Sequence, residues 1–515
     1  MIVTLEPSLE SGIGAVVDGG VTQKFASRLF AKDATLWGPV AISEASIRLG
    51  WVEDPLAQLG LVGEISELRK VLAPEGVSRV ILCGMGGSSL GPEVMCASAG
   101  VPLVVLDTTH GDVIAPLLAS DLSDAVVVVS SKSGGTVETD SARRLFEKAL
   151  VDQGIDPQRR IVVVTDPDSP LHGESIAAGY RVFLGNTTVG GRFSALTAFG
   201  LVPCGLAGVD LMPLLEDARA AWETLSADEH TNQGLRLGAA LALGAPKRNK
   251  LLLADVPGSP GFGDWVEQLI AESTGKDGQG ILPVVGSSLE QAHDFLSVGG
   301  VGDQADIQIG GTLGSRLMLW ETATVFAAAL LGVNPFDQPN VESAKIAARE
   351  LLSHEPARSP RPGSDDDLLA SASFSDSASP EALLAELRTR IGESSYLALC
   401  VFGNGADQAR WRTVAGALEQ STGRPVTLGF GPRFLHSTGQ FHKGGPTQGV
   451  FIQVVEIPAN TIPIPGREFD CTNLLVAQAQ GDARVVSETG QPILSIILRS
   501  SGARAHVLEM LSEGV

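Results

Sequence analysis

Gln268 and Glu272 lie four residues apart in the segment Gln268-Leu269-Ile270-Ala271-Glu272-Ser273-Thr274-Gly275-Lys276, so they share one face of a helix. Leu269 and Ile270 beside them mark that helix as largely buried. A carboxylate at a buried helix end needs a reason, because burial raises its pKa and costs free energy. A base poised to take a carbon-bound proton is one such reason. The plainer alternative is an exposed glutamate, or one paired with Lys276, and from these residues alone the plainer alternative is the stronger.

Other segments supply what such a base would need. Ser130-Ser131-Lys132-Ser133-Gly134-Gly135-Thr136-Val137-Glu138-Thr139 is dense in hydroxyls between a strand and a helix. Hydroxyls, free backbone N–H groups and a helix N-terminus together make a phosphate cradle. A helix cap explains one hydroxyl, not Ser131, Ser133, Thr136 and Thr139 together. Gly84-Met85-Gly86-Gly87-Ser88-Ser89-Leu90-Gly91 is a second strand-to-helix turn, which alone is a weak signal for an anion or for a tight connection. Val189-Gly190-Gly191-Arg192-Phe193-Ser194 places an arginine where it could face an anion or a developing enediolate, although most single arginines in turns are surface groups.

Asn334-Pro335-Phe336-Asp337-Gln338-Pro339 leads into a helix bearing Lys345. Gly429-Phe430-Gly431-Pro432-Arg433-Phe434-Leu435-His436-Ser437-Thr438-Gly439-Gln440-Phe441-His442-Lys443-Gly444-Gly445 is the densest polar cluster and holds two of the eight histidines. A zinc site needs a third ligand, and neither HExxH nor paired cysteines are present. His436 in this loop is the better general acid/base candidate.

The elements that must position these groups follow from the apolar pattern. Residues 80–83, 103–106, 125–130, 161–165 and 181–184 read as buried strands, with helix-length stretches such as 139–151 between several of them. Continuous Val/Ile/Leu runs alternating with helices predict parallel sheets covered on both faces, with ligands at the carboxyl ends of the strands. Strands at 251–254, 281–285 and 307–309, with helices at 265–274 and 313–331, form a second unit. Residues 354–380 are rich in Pro, Ser and Asp and read as a linker or exposed loop. Beyond it, 396–402, 426–430 and 450–455 read as strands and 408–420 as a helix. The expected division is a helical segment over 1–75, α/β units over 76–235 and 236–353, the linker 354–380, and an α/β segment over 381–515 that completes the site.

With 515 residues the chain exceeds one compact core, and 44% apolar residues suffice to fill several. The formal net charge of -22 speaks against nucleic-acid or anionic-membrane partners. It also repels anionic substrates at long range, so a phosphate must be won locally. Five scattered cysteines without metal-ligand spacing point to buried thiols in a reducing cytoplasm. No apolar run is long enough to span a membrane, and the first residues lack the features of a signal peptide.

Taken together, the motifs resemble those of the phosphoglucose isomerases, built from two sugar-isomerase (SIS) domains. GMGGSSLGP, SKSGGTVET, VGGRFS, QLIAESTGK, NPFDQPNVESAK and GPRFLHSTGQFHKGG are similar to the first glycine loop, the phosphate loop and the segments bearing the arginine, glutamate, lysine and histidine of that family. The likeness runs from about residue 36 almost to the C-terminus. It is nearest to the isomerase moiety of bifunctional transaldolase–phosphoglucose isomerases, although a transaldolase barrel of about 250 residues has no room here. Two departures stand out: Ser89 replaces an aspartate, and the histidine loop follows the lysine segment instead of preceding it.

The resemblance implies two α/β/α sandwich domains with parallel sheets, N-terminal helices and a C-terminal extension. It implies aldose–ketose isomerisation of glucose 6-phosphate and fructose 6-phosphate without metal or cofactor, in the cytoplasm, and it suggests a homodimer. Ser131, Lys132, Ser133, Thr136 and Thr139 would hold the phosphate, Gly86, Gly87 and Ser88 would line the sugar, and Gln268 and Gln338 would orient hydroxyls. His436 assisted by Lys345 would open the ring, with His442 the other candidate. Glu272 would move the proton through a cis-enediol, and Arg192 would stabilise the enediolate. A dual glucose/mannose 6-phosphate isomerase and a non-catalytic SIS sugar-phosphate sensor are the alternatives.

Overall fold

Fourteen strands build three sheets in a computed structural model that describes residues 1–513 except 246, 255–257, 288, 290–292, 354–379 and 500. In chain order they are β1 (Ile2–Leu5), β2 (Arg79–Gly84), β3 (Val104–Leu106), β4 (Ala125–Ser130), β5 (Ile161–Thr165), β6 (Arg181–Leu184) and β7 (Lys250–Leu253). They continue as β8 (Leu282–Val285), β9 (Phe295–Gly300), β10 (Ile307–Gly310), β11 (Tyr396–Phe402), β12 (Val426–Phe430), β13 (Gly449–Glu456) and β14 (Ile493–Leu498). The linker reading at 354–380 falls almost wholly outside the described residues.

The first sheet runs β3-β2-β4-β5-β6, all parallel. Its apolar runs are continuous because both faces are covered. Val80, Leu82, Val126, Val128, Val162 and Val164 enter one core, while Ile81, Cys83, Val127, Val129, Ile161 and Val163 enter the other. The second sheet runs β1-β10-β9-β7-β8 and the third β12-β11-β13-β14. All pairings in them are parallel except β1 with β10.

Shared cores join the sheets. Leu251, Leu253, Leu296 and Val298 of the second sheet pack into the core that also holds Val80 and Leu82 of the first. On its opposite face, Leu252, Leu282, Val284 and Phe295 meet Tyr396, Ala398, Cys400 and Phe402 of the third. The helix Cys471–Glu488 closes the circuit: Cys471 and Leu474 pack on the outer face of the first sheet, Leu475 and Ala479 on the third. The segment 1–75 is therefore not only helical. Val3 and Leu5 alternate with exposed Ile2 and Thr4, which makes β1 an edge strand of the second sheet. β9 and β14 also add strands to those read from sequence. Five cysteines are buried and unbridged, and among the described residues no helix is long and apolar enough to cross a membrane.

A buried ionic cluster spans the second and third sheets. Arg424 donates to both carboxylate oxygens of Asp294 at 3.1 and 2.5 Å, and Lys250 Nζ lies 2.9 Å from the same carboxylate. Lys250 also donates to Gln448 Oε1 and the Ser394 carbonyl. Burial works against the Asp294 charge, yet the bonds from Arg424 and Lys250 hold its carboxyl below the usual range. The stabilisation from that charge is complete above the ordinary aspartate value of about 4 and is lost as pH falls through the depressed one. Asp294→Asn leaves two buried cations without their carboxylate. It should lower unfolding stability by roughly 3–5 kcal/mol at pH 7 and shrink the loss on acidification, both measured by urea denaturation.

Candidate active site

Loops at the carboxyl ends of β2, β4 and β12, the loop beyond β6 and the helix Phe262–Thr274 after β7 converge on a cavity of about 350 Å³. The loop after β2 needs its glycines. Gly86 has φ of +54°, and a Cβ there would stand 2.7 Å from Gln268 Nε2 and 2.8 Å from the His436 carbonyl oxygen. A Cβ on Gly87 would overlap the Gly191 carbonyl oxygen, so the β2 and β6 loops meet backbone to backbone.

The helix Phe262–Thr274 presses Leu269 and Ile270 into the core and turns Gln268 and Glu272 to the cavity. Glu272 is 4% exposed and Arg192 5%. Arg192 Nη1 lies 2.9 Å from Glu272 Oε2. The rest of the guanidinium is held by carbonyls: Nη2 donates to Pro335 O at 2.7 Å and Asp337 O at 2.9 Å, and Nε donates to Pro335 O at 3.2 Å. Gln338 Oε1 stands 3.5 Å from Nη1. Lys276 does not neutralise Glu272. Its ammonium pairs with Asp337 at 2.7 Å and donates to the Asn334 carbonyl.

At the opposite wall, Ser131, Lys132, Ser133 and Thr136 face the cavity at the start of the helix Val137–Asp152. Ser131 donates to the Thr136 hydroxyl at 3.2 Å. Lys132 is paired with Asp166 and also donates to Asn186 O, so its charge is already matched within the chain. Burial pushes its ammonium below the usual range, against the pull of Asp166.

His436 Nε2 lies 3.1 Å from Glu138 Oε1, and Gln478 donates to the same oxygen at 2.6 Å. The His436 carbonyl accepts from Gln268 Nε2 at 2.8 Å, which ties the histidine loop to the helix of Glu272. His442 is elsewhere. Its ring stacks on Tyr396 and meets Phe451 edge-on, and burial pushes its imidazole down to about 3.

Of the residues singled out from sequence, Gly86, Gly87, Ser88, Ser131, Lys132, Ser133, Thr136, Arg192, Gln268, Glu272, Gln338 and His436 share this cavity. Thr139 sits further along the helix, buried, its hydroxyl without a partner among the described residues. Lys345 lies on the helix Pro339–Ser353, but its side chain is outside the described residues. Glu138, Gln478, Asp166 and Arg48 are the additions. Glu138 stands inside the hydroxyl-rich segment, where an acidic residue in a first helical turn reads as ordinary dipole complementation. Gln478 carries no local signal at all.

Parallel sheets, a hydroxyl-rich helix start, a buried Glu–Arg pair and a His–Glu pair are the parts an aldose–ketose isomerase of sugar phosphates needs. No protein-family profile matches the chain. A glucose-6-phosphate isomerase of Thermus thermophilus is 30% identical over 383 residues, covering 60% of this chain and 91% of that protein. A probable glucose-6-phosphate isomerase of Haloarcula marismortui is 28% identical over 342 residues, 54% of this chain and 78% of the relative. A crystal structure of a Chlamydia trachomatis glucose-6-phosphate isomerase is 20% identical, with TM-score 0.49 over 64% of this chain and 78% of that one. The chain belongs to the glucose-6-phosphate isomerase family.

The Gly87–Gly191 contact offers a test of how tightly the site is set. Gly87→Ala must force the two loop backbones away from each other. Chemical denaturation should show a loss of about 1–3 kcal/mol, with turnover falling because Arg192 follows Gly191 directly.

Proposed function

We propose that the protein interconverts glucose 6-phosphate and fructose 6-phosphate by proton transfer through a cis-enediol. The observation that carries this reading is the carboxylate of Glu272 bonded to Arg192 in a cavity whose far wall is the hydroxyl-rich helix start at Ser131–Thr136. The phosphate docks on Ser131, Ser133 and Thr136, where hydroxyls and backbone N–H groups at the N-terminus of a helix attract an anion despite the acidic chain. Thr139, one turn on, supports that end of the cradle. Lys132 contributes through its backbone, because Asp166 occupies its charge.

His436 is positioned by Glu138 to give a proton to the ring oxygen, and Lys345 assists on the likeness of its segment. In the open chain Glu272 takes the proton from C2 and returns it to C1, while the hydroxyl protons redistribute between O1 and O2. As Glu272 becomes neutral, negative charge develops on the substrate oxygen. The Arg192 guanidinium already beside it stabilises that charge without reorganising. Gln268 and Gln338 orient hydroxyls, and Gly86, Gly87 and Ser88 let the sugar approach the backbone. The buried free thiols support a reducing, cytoplasmic setting.

A coupled assay with fructose 6-phosphate, glucose-6-phosphate dehydrogenase and NADP should release NADPH at a rate that EDTA leaves unchanged. Glu272→Gln should still bind fructose 6-phosphate while kcat falls on the order of 10³-fold, and exchange of the fructose 6-phosphate C1 proton with solvent should vanish in parallel. Undiminished turnover in this variant would overturn the assignment.

A further inference from the structure

Lys276 is 2% exposed, and nothing in the proton transfer uses it. Its ammonium donates to the Asn334 carbonyl and pairs with the Asp337 carboxylate at 2.7 Å, the two flanks of a short irregular segment. Arg192 bonds the carbonyls of Pro335 and Asp337 in the same segment. Phe336 between them packs on Phe193 and Trp37, with ring centroids 5.8 and 4.8 Å apart. Two cations from different elements therefore grip one piece of chain, and only one of them touches Glu272.

We infer that Lys276 is a positioning residue: its ammonium clasps the 334–338 segment that holds Arg192 against Glu272, and the clasp must be charged for full turnover. The inference rests on the isomerase reading and adds a residue to it. The charged groups facing Lys276 are Arg192 from the loop after β6, Glu272 from the helix that ends two residues before it and Asp337 from the clasped segment. Burial, joined by repulsion from Arg192, pushes the Lys276 ammonium down to about 7, while Asp337 and Glu272 oppose the shift. A neutral amine keeps its donor for the Asn334 carbonyl but loses the ionic attraction to Asp337, and a charged contact is the stronger kind. The Arg192 carbonyl ligands are then free to drift, and an error of about 1 Å at a catalytic group can cost roughly 10²-fold in rate.

The pH dependence has a definite sign. Because the folded value lies below that of a free lysine, the native state sheds this proton first as pH rises. Stability then increases between about pH 7 and 10 while turnover declines. The test compares wild type, Lys276→Met and Asp337→Asn across pH 6–9.5 with fructose 6-phosphate in the coupled assay. Expected for Lys276→Met is a kcat lower by roughly 10–10²-fold with KM within about twofold, and no alkaline decline attributable to this group. Asp337→Asn should move that decline to lower pH, since it removes the carboxylate that supports the ammonium. Wild-type kcat in Lys276→Met, or an alkaline limb unmoved in Asp337→Asn, would overturn the inference, and Asp337→Asn decides the matter where Lys276→Met does not fold. Absence of isomerisation in the wild type would instead sink the functional reading. Thermal midpoints would still report on the lysine: they should rise from pH 7 to 9 in wild type relative to Lys276→Met, and equal slopes would refute the charge assigned to the clasp.

Discussion

The buried pair of Arg192 and Glu272 sets the conditions for everything around it. Two charges this far from water cost several kcal/mol each to desolvate, and their mutual attraction offsets that only when the remaining hydrogen-bonding positions are filled. Arg192 has those positions filled by three carbonyl contacts on the 334–338 segment. Glu272 receives one charged partner at one oxygen. The asymmetry suits the chemistry. The arginine is immobilised on its outer side, and in the proposed mechanism the other glutamate oxygen takes the substrate proton. In the proposed mechanism, a proton moving to Glu272 shifts negative charge from the carboxylate to the substrate, so the guanidinium exchanges one anionic neighbour for another.

That pair dictates which regions of the fold must be rigid. Arg192 follows Gly191, whose carbonyl leaves no space for a side chain on Gly87, so the loops beyond β2 and β6 fix each other. Gln268, one turn before Glu272, fixes the His436 backbone. Glu138 fixes the His436 ring from the same helix whose N-terminus is the proposed phosphate cradle. The hydroxyls proposed to take the phosphate and the carboxylate that holds the proposed ring-opening histidine thus meet at one helix start, Thr136 capping it and Glu138 in its first turn. On the proposed reading, a chain with a net charge of -22 gathers an anion here through N–H groups and hydroxyls, since among the described residues Lys132, Arg192 and Lys276 are paired with internal carboxylates or carbonyls.

The legible stretches of the sequence were those in which one local pattern decides the structure. Ala125–Ser130, Ile161–Thr165 and the helix Leu313–Leu331 lie where the apolar runs place them, since burial on both faces leaves strand or core helix as the only uses for such runs. β9 reads FLSVGG, and its terminal glycines look like a turn until β7 and β10 pair on either side. β1 is four residues long and exists because an edge was open for it. The site divided in the same way. Glycines, hydroxyls and the Gln268/Glu272 spacing are local, whereas the bonds of Glu138 to His436 and Gln478 join residues about 300 positions apart and leave no trace in spacing.

The reversed order of the lysine and histidine segments is answered by the same logic. A histidine that follows the 354–380 stretch reaches the base only if the third sheet is anchored back on the rest of the chain. It is anchored twice. Its inner face shares a core with Leu252, Leu282 and Phe295 of the second sheet, and the helix Cys471–Glu488 inserts Cys471 and Leu474 against the first. The loop after β12 then opens toward the carboxyl ends of β2 and β4, with its backbone against Gly86 and its ring against Glu138. Nothing in that arrangement depends on whether the histidine precedes or follows the lysine along the chain. It depends on the two packed faces of the third sheet, which make a remote loop as fixed a component of the site as the helix that carries Glu272.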